Sequence, residues 1–147
     1  MTASNHLVKS VSTAATGSGD FSQQNGVECA GSHLLIDLWG ASRLNEIDYM
    51  EEVLRRCVEA SHATLLHLHC HQFSDSGGLS AVAVLAESHI TVHTWPERDF
   101  AAFDVFMCGA AQPQNVVGVL QQAFEPSDLK VKKILRGADV VVDFIDA

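Results

Sequence analysis

The sequence predicts an α+β fold, a two-layer sandwich in which a mainly antiparallel sheet carries helices on one face. Six short segments have the composition of strands, and two longer segments repeat apolar residues at helical spacing. The links that join the third, fourth and fifth strands are short and hairpin-like, so these strands are expected to pair antiparallel. Strands that group apart from two helices pack as two layers.

The strand predictions depend on short runs of apolar and β-branched residues. In the first strand, at 31–40, Leu34, Ile36 and Leu38 alternate onto one face. The other five strands are predicted at 64–73, 80–86, 89–94, 102–108 and 140–145. The composition of residues 74–78 predicts a turn before the third strand.

Two amphipathic helices are predicted, at 44–60 and 114–124. Apolar residues recur in both at helical spacing, and in the first helix charged residues mostly occupy the remaining positions. The apolar positions are Leu44, Ile47, Met50, Val53, Leu54, Cys57 and Val58 in the first helix and Val116, Val117, Leu120, Ala123 and Phe124 in the second. Each helix therefore has one face to bury.

The length and composition of the chain are those of one folded domain preceded by a polar tail. A chain of 147 residues with 47% hydrophobic residues can bury a substantial core. Residues 1–26 are rich in Ser, Thr, Gly, Asn and Gln and cannot bury enough surface to offset the entropy of ordering. We therefore predict a mobile tail at 1–26 and a folded domain at 27–147.

Charge and cysteine content exclude several classes of protein. A net charge of −9 argues against nucleic-acid binding, which needs a basic patch. The four cysteines form no CxxC pair, so reduced thiols in a cytoplasmic protein are expected rather than disulfides. No apolar run approaches the roughly 20 residues that span a bilayer, and residues 1–9 lack the apolar region of a signal peptide. The partners expected from this are small molecules, not membranes.

The most informative segment is 87–97, which reads Glu-Ser-His-Ile-Thr-Val-His-Thr-Trp-Pro-Glu. The hydroxyl of Ser88 can attack the carbonyl carbon of Glu87 and convert the amide into an ester. Removal of the Ser88 α-proton then cuts the chain by β-elimination and leaves a pyruvoyl group. Such a ketone can form a Schiff base with an amino-acid substrate and accept electrons when the carboxylate leaves.

His93 is the candidate base, because histidine exchanges protons near neutral pH. It follows Ser88 by five residues, which puts the two side chains on opposite faces of a regular strand. A bulge or a turn at the cleavage point is therefore needed to bring them together.

The segment resembles the processing segment of prokaryotic-type S-adenosylmethionine decarboxylases, which are pyruvoyl enzymes. The resemblance extends, in the family's order, over roughly residues 29 to 125. Besides 87–97, it includes 31–40, His71-Gln-Phe73, Gly78-Leu-Ser80 and 101–109. A run of eleven residues with a cleavable Glu-Ser is a specific signal.

The resemblance implies roles for individual residues. Ser88 is expected to become the pyruvoyl group, with cleavage between Glu87 and Ser88 into fragments 1–87 and 88–147. His93 is expected to assist processing as the base, and Ser80 to help it by hydrogen bonding near the oxyanion. Cys108 is expected to protonate the substrate α-carbon after decarboxylation.

Two further residues are implied as substrate contacts, Glu97 to the substrate hydroxyls and Phe73 by packing. The implied activity is that of a self-processing carboxy-lyase, which makes the decarboxylated aminopropyl donor for spermidine in polyamine synthesis. The implied assembly is a homodimer of cleaved protomers. The segment 74–80 lacks the family's proline and is one residue longer, so L-ornithine or L-arginine is an alternative substrate for the same chemistry.

An alternative of another class is a non-enzymatic, His-rich metal-binding domain. His67, His69 and His71 alternate along one predicted strand, so their imidazoles share a face and can chelate zinc in pairs. We do not predict a metal, since His71 also belongs to the His-x-Phe of the resemblance.

Overall fold

The computed structural model describes residues 21–24, 26–138 and 140–146. Within these ranges the chain forms nine strands, two α-helices and one 3₁₀ helix. The strands are β1 (Ser22–Gln24), β2 (Val27–Cys29), β3 (Gly31–Trp39), β4 (Leu65–Gln72), β5 (Leu79–Leu85), β6 (Ser88–Trp95), β7 (Phe100–Met107), β8 (Asp128–Arg136) and β9 (Val140–Asp146). The helices are α1 (Ile47–Ala60) and α2 (Asn115–Phe124), and the 3₁₀ helix is Pro96–Arg98.

Seven of the strands form one antiparallel sheet in the order β4-β5-β6-β7-β3-β8-β9. The hairpin of β1 and β2 forms a separate two-stranded sheet. The predicted α+β class with a mainly antiparallel sheet is confirmed. Neither helix of the described part of the chain has both the length and the apolar character of a membrane span.

The core lies between the two helices and one face of the large sheet. Alternate residues along β3, among them Leu34, Ile36 and Leu38, are fully buried there, as predicted. Met50, Leu54 and Cys57 of α1 and Leu120 and Phe124 of α2 belong to the same cluster. Both helices therefore cover the same face of the sheet.

The opposite face of the sheet is uncovered by any described element, and we call it the open face. It consists of the strand residues that alternate with the buried ones. On the strands β3 to β7 they are His33, Leu35, Asp37 and Trp39 of β3, His67, His69 and His71 of β4, Ser80, Val82 and Val84 of β5, His89, Thr91, His93 and Trp95 of β6, and Phe100, Ala102, Asp104 and Phe106 of β7. Large apolar side chains remain exposed on it, Trp39 to 41% and Trp95 to 40%.

Strand β8 was not predicted from the sequence. Lys130, Lys132, Lys133 and Arg136 dominate its composition, while Leu129, Val131 and Leu135 supply the buried positions. The separate hairpin also begins earlier than expected, because β1 lies within the stretch 1–26 that was predicted as a tail. Residues 1–20 lie outside the described residues, so the mobile tail remains a prediction for them.

Candidate active site

Ser88 is the first residue of β6 and follows a two-residue turn. Leu85 of β5 pairs with Ser88, so residues 86–87 form the tip of the hairpin. Glu87 has φ of +62°, in the left-handed region that costs a residue with a side chain about 1 kcal/mol or more. The strained residue is therefore the one whose carbonyl carbon the Ser88 hydroxyl must attack.

Cys108 is hydrogen-bonded to both residues of the Glu87–Ser88 bond. It directly follows β7, and the pairing of His89 with Phe106 brings it beside the hairpin tip. Its backbone N–H donates to Ser88 Oγ at 3.3 Å, and its Sγ donates to the carbonyl oxygen of Glu87 at 3.1 Å. A donor on that oxygen stabilises the negative charge that develops when the carbonyl is attacked.

Ser80 and His93 form a second cluster. They are paired residues of β5 and β6, and Ser80 Oγ lies 2.7 Å from His93 Nδ1. Both line a cavity of about 280 Å³ on the open face. Its walls are His69, His71, Ser80, Ala81, Val82, Thr91 and His93.

The two clusters do not meet within one copy of the chain. β6 pairs with β5 from Ser88 to His93 without a register shift, so this part of β6 contains no bulge. Five residues of strand separate the two by about 16 Å, and alternation places them on opposite faces. The turn needed at the cleavage point is present at 86–87, but it leaves the two side chains apart.

The two predicted substrate contacts, Phe73 and Glu97, lie nearer to the Ser80–His93 cluster than to the Ser88–Cys108 cluster along their strands. Phe73 follows β4 and is 68% exposed, with its ring centroid 4.8 Å from that of His71. Glu97 lies in the 3₁₀ helix that follows β6 and is exposed.

A polar network beside Ser88 was not singled out from the sequence. Nε2 of His33 contacts Oδ1 of Asp104, and Arg136 donates to Nδ1 of His33 at 3.3 Å. Since Nδ1 accepts, Nε2 carries the proton and donates to the carboxylate. The His33 ring also lies 6.4 Å from that of His89, which follows Ser88. The available signal was a single acidic residue, Asp104, in the otherwise apolar β7, and His33 in the mostly apolar β3.

Cys29 and Cys57 are buried, whereas Cys70 and Cys108 are partly buried. Burial raises the pKa of Cys57 to about 12 and that of Cys70 to about 11. Both thiols therefore stay protonated and unreactive at neutral pH. Cys108 is only partly buried and contacts the Glu87–Ser88 bond.

The alternative of a metal site finds no support in the geometry. Among the described residues, no group of three or more His, Cys, Asp and Glu side chains is arranged to hold a metal ion. His69 and His71 line the cavity beside His93 instead.

Comparison with known proteins gives a consistent result. The family model for S-adenosylmethionine decarboxylase matches residues 32–137. The chain is 38% identical over 114 residues to the S-adenosylmethionine decarboxylase proenzyme of Thermomicrobium roseum, covering 77% of this chain and 97% of the relative. It is 39% identical over 110 residues to the proenzyme of the same name from Methanococcus maripaludis, covering 73% and 89% of the two chains.

Two solved structures are similar in fold. The adenosylmethionine decarboxylase of Aquifex aeolicus superposes with a TM-score of 0.67 at 27% identity, covering 81% of this chain and 98% of that one. The Trypanosoma brucei AdoMetDC-delta26 monomer gives a TM-score of 0.53 at 18% identity, covering 77% of this chain and 51% of that one. At that identity the second likeness concerns the fold alone.

Proposed function

The chain belongs to the S-adenosylmethionine decarboxylase family, and we propose that it cleaves its own Glu87–Ser88 bond and then decarboxylates S-adenosylmethionine. The family consists of carboxy-lyases that use a covalent pyruvoyl group formed by self-cleavage. The observation that carries the proposal is the strained backbone of Glu87, whose carbonyl oxygen accepts a hydrogen bond from Cys108 Sγ. Cys108 also donates its backbone N–H to the Ser88 hydroxyl.

Self-cleavage begins when Ser88 Oγ attacks the Glu87 carbonyl carbon and displaces the amide nitrogen. The strain at Glu87 raises the energy of the intact bond, and the Cys108 thiol donates to the oxygen that becomes negative. A base then removes the Ser88 α-proton, and β-elimination releases fragment 1–87 with a new carboxylate. Hydrolysis of the remaining dehydroalanine releases ammonia and leaves the pyruvoyl group at the start of fragment 88–147.

The proposed base is His93, oriented by its hydrogen bond to Ser80. The 16 Å along β6 prevents this pair from acting on Ser88 of the same chain. We therefore propose a homodimer in which the open faces pack together, so that the Ser80–His93 pair of one copy reaches the hairpin tip of the other, where the Glu87–Ser88 bond and Cys108 lie at or beyond the ends of the strands. The exposed tryptophans of the open face support such packing, because an apolar sheet face is stabilised by burial.

In the cleaved enzyme, the pyruvoyl group supplies a ketone that withdraws the electron pair left when the substrate carboxylate departs. Cys108 lies beside Ser88 and therefore beside the pyruvoyl group that forms from it. Its thiol is proposed to donate the proton that replaces the carboxylate at the substrate α-carbon. Phe73 and Glu97 are proposed to contact the adenosyl end of the substrate. Both are exposed and lie near the proposed partner-facing cavity.

S-Adenosylmethionine is favoured over L-ornithine and L-arginine because the relatives are named for it and match the chain along most of their length. We further propose that the enzyme works in the cytoplasm. The thiols of Cys29, Cys57 and Cys70, which form no disulfide, support this, since reducing compartments keep cysteines unpaired.

The test combines intact mass with release of labelled carbon dioxide. Fresh wild-type protein is expected to give fragments 1–87 and 88–147, the second without a free amine, and to release carbon dioxide from S-adenosylmethionine faster than from ornithine or arginine. Ser88→Ala is the control that stays whole and inactive. A wild-type chain that remains intact, with no carbonyl that reacts with hydrazine, would contradict the proposal.

A further inference from the structure

His67, His69 and His71 of β4 have no part in the mechanism above, yet one of them, His71, lies beside the Ser80–His93 cluster. His71 pairs with Ser80, and Ser80 pairs with His93 on its other side. The three side chains therefore form one row across three strands of the open face. His71 also lines the cavity of about 280 Å³ that Ser80 and His93 share.

His71 has a second neighbour, Phe73, two residues further along the chain. Their ring centroids lie 4.8 Å apart at an interplanar angle of 76°, the edge-to-face arrangement that aromatic rings prefer. Among the described residues, no other ring packs against Phe73, which is 68% exposed. The His71 contact is thus what restricts the Phe73 ring beside the cavity.

We propose that His71 is a positioning residue for substrate binding, whose imidazole holds the Phe73 ring where the adenosyl end of the substrate, with the cationic sulfonium that adjoins it, packs. The inference rests on the proposed function and adds a residue to which nothing above assigns a role. The face of an aromatic ring attracts a cation, so a correctly oriented Phe73 contributes to the affinity for a sulfonium. A loosely held ring loses part of that contribution to side-chain entropy.

The experiment uses the cleaved protein and measures kcat and KM for S-adenosylmethionine at one fixed pH. His71→Ala is expected to raise KM about fivefold, the size of one aromatic contact, with kcat within about twofold of the wild type. His71→Phe keeps a ring against Phe73, so its KM is expected to stay near the wild-type value. His67→Gln, on the same face but outside the cavity wall, is the matched control.

The outcomes separate this inference from the function on which it rests. Wild-type protein that releases no carbon dioxide from S-adenosylmethionine overturns both. An active wild type together with an unchanged KM in His71→Ala overturns only the role of His71. If His71→Ala does not fold or cleave, His71→Leu decides, because leucine fills a similar volume without a ring: a wild-type KM in that variant overturns the inference.

Discussion

The two ends of β6 carry the two halves of the proposed chemistry and are built differently. At the Ser88 end the backbone itself is strained, and Cys108 contacts it from the neighbouring strand through both its N–H and its thiol. At the His93 end the strand is regular, and the chemistry lies in a side-chain pair on the open face. We infer from this difference that the Glu87–Ser88 bond is prepared for cleavage by its own chain, whereas the proposed base, His93, comes from a second copy.

The largest expected effect comes from mixing two inactive variants. Ser88→Ala and His93→Ala are each expected to stay uncut when expressed alone. Coexpressed, they form mixed dimers in which the His93 of one copy faces the Ser88 of the other, so the His93→Ala chain is expected to be cleaved. Intact mass of the coexpressed chains provides the measurement. If the His93→Ala chain remains whole in dimers shown to be mixed, His93 does not act on Ser88 of the other copy.

Cys108 is the next most sensitive position, because it contacts the Ser88 end twice. Cys108→Ala removes the thiol from the Glu87 carbonyl and from the cleaved site, so slower cleavage and a fall in kcat of about 100-fold or more are expected. Cys108→Ser is the matched control, since its hydroxyl still donates to the carbonyl. It is expected to cleave faster than Cys108→Ala, and equal cleavage rates would exclude the thiol as an oxyanion donor.

A smaller effect is expected from relief of the strain at Glu87. Glycine adopts positive φ at little cost, so Glu87→Gly lowers the energy of the intact turn by about 1 kcal/mol. Cleavage is then expected to slow by about fivefold, measured as the uncut fraction with time after synthesis. Glu87→Ala loses the same carboxylate but keeps the strained φ, so it should cleave faster than Glu87→Gly. The opposite order would mean that strain does not drive the reaction.

The smallest effect distinguishes Cys108 from the cysteines of the core. In the folded protein at about pH 8, iodoacetamide is expected to modify Cys108 well before Cys57 or Cys70. Burial raises the pKa of these two thiols to about 12 and about 11, so the folded state holds their protons more tightly than the unfolded state. The contribution of these two thiols to the free energy of unfolding is therefore complete below about pH 8.5, the pKa of an unfolded cysteine. It is lost as the pH rises through their raised pKa values in the folded protein. Peptide mapping after brief labelling gives the order of modification, and early labelling of Cys57 would contradict it.

Much of the fold and the nature of the site could be predicted from local pattern. Alternation identified β3, the helical period identified the buried faces of α1 and α2, and residues 87–97 indicated the family that the comparisons confirmed. β8 was missed because four basic residues obscure its alternation. The network of His33, Asp104 and Arg136 was missed because these residues are distant in sequence and meet only across paired strands.

The sequence by itself determined which bond is proposed to break and which residues are proposed to act on it, because the order of Glu87, Ser88 and His93 is local information. Only the tertiary structure decided that the Cys108 thiol reaches the Glu87 carbonyl and that His93 does not reach Ser88 in the same copy. The physical reason is that strand register and turn conformation depend on pairing between distant segments. The same pairing that brings residue 108 to residue 87 keeps β6 straight and holds its two ends apart.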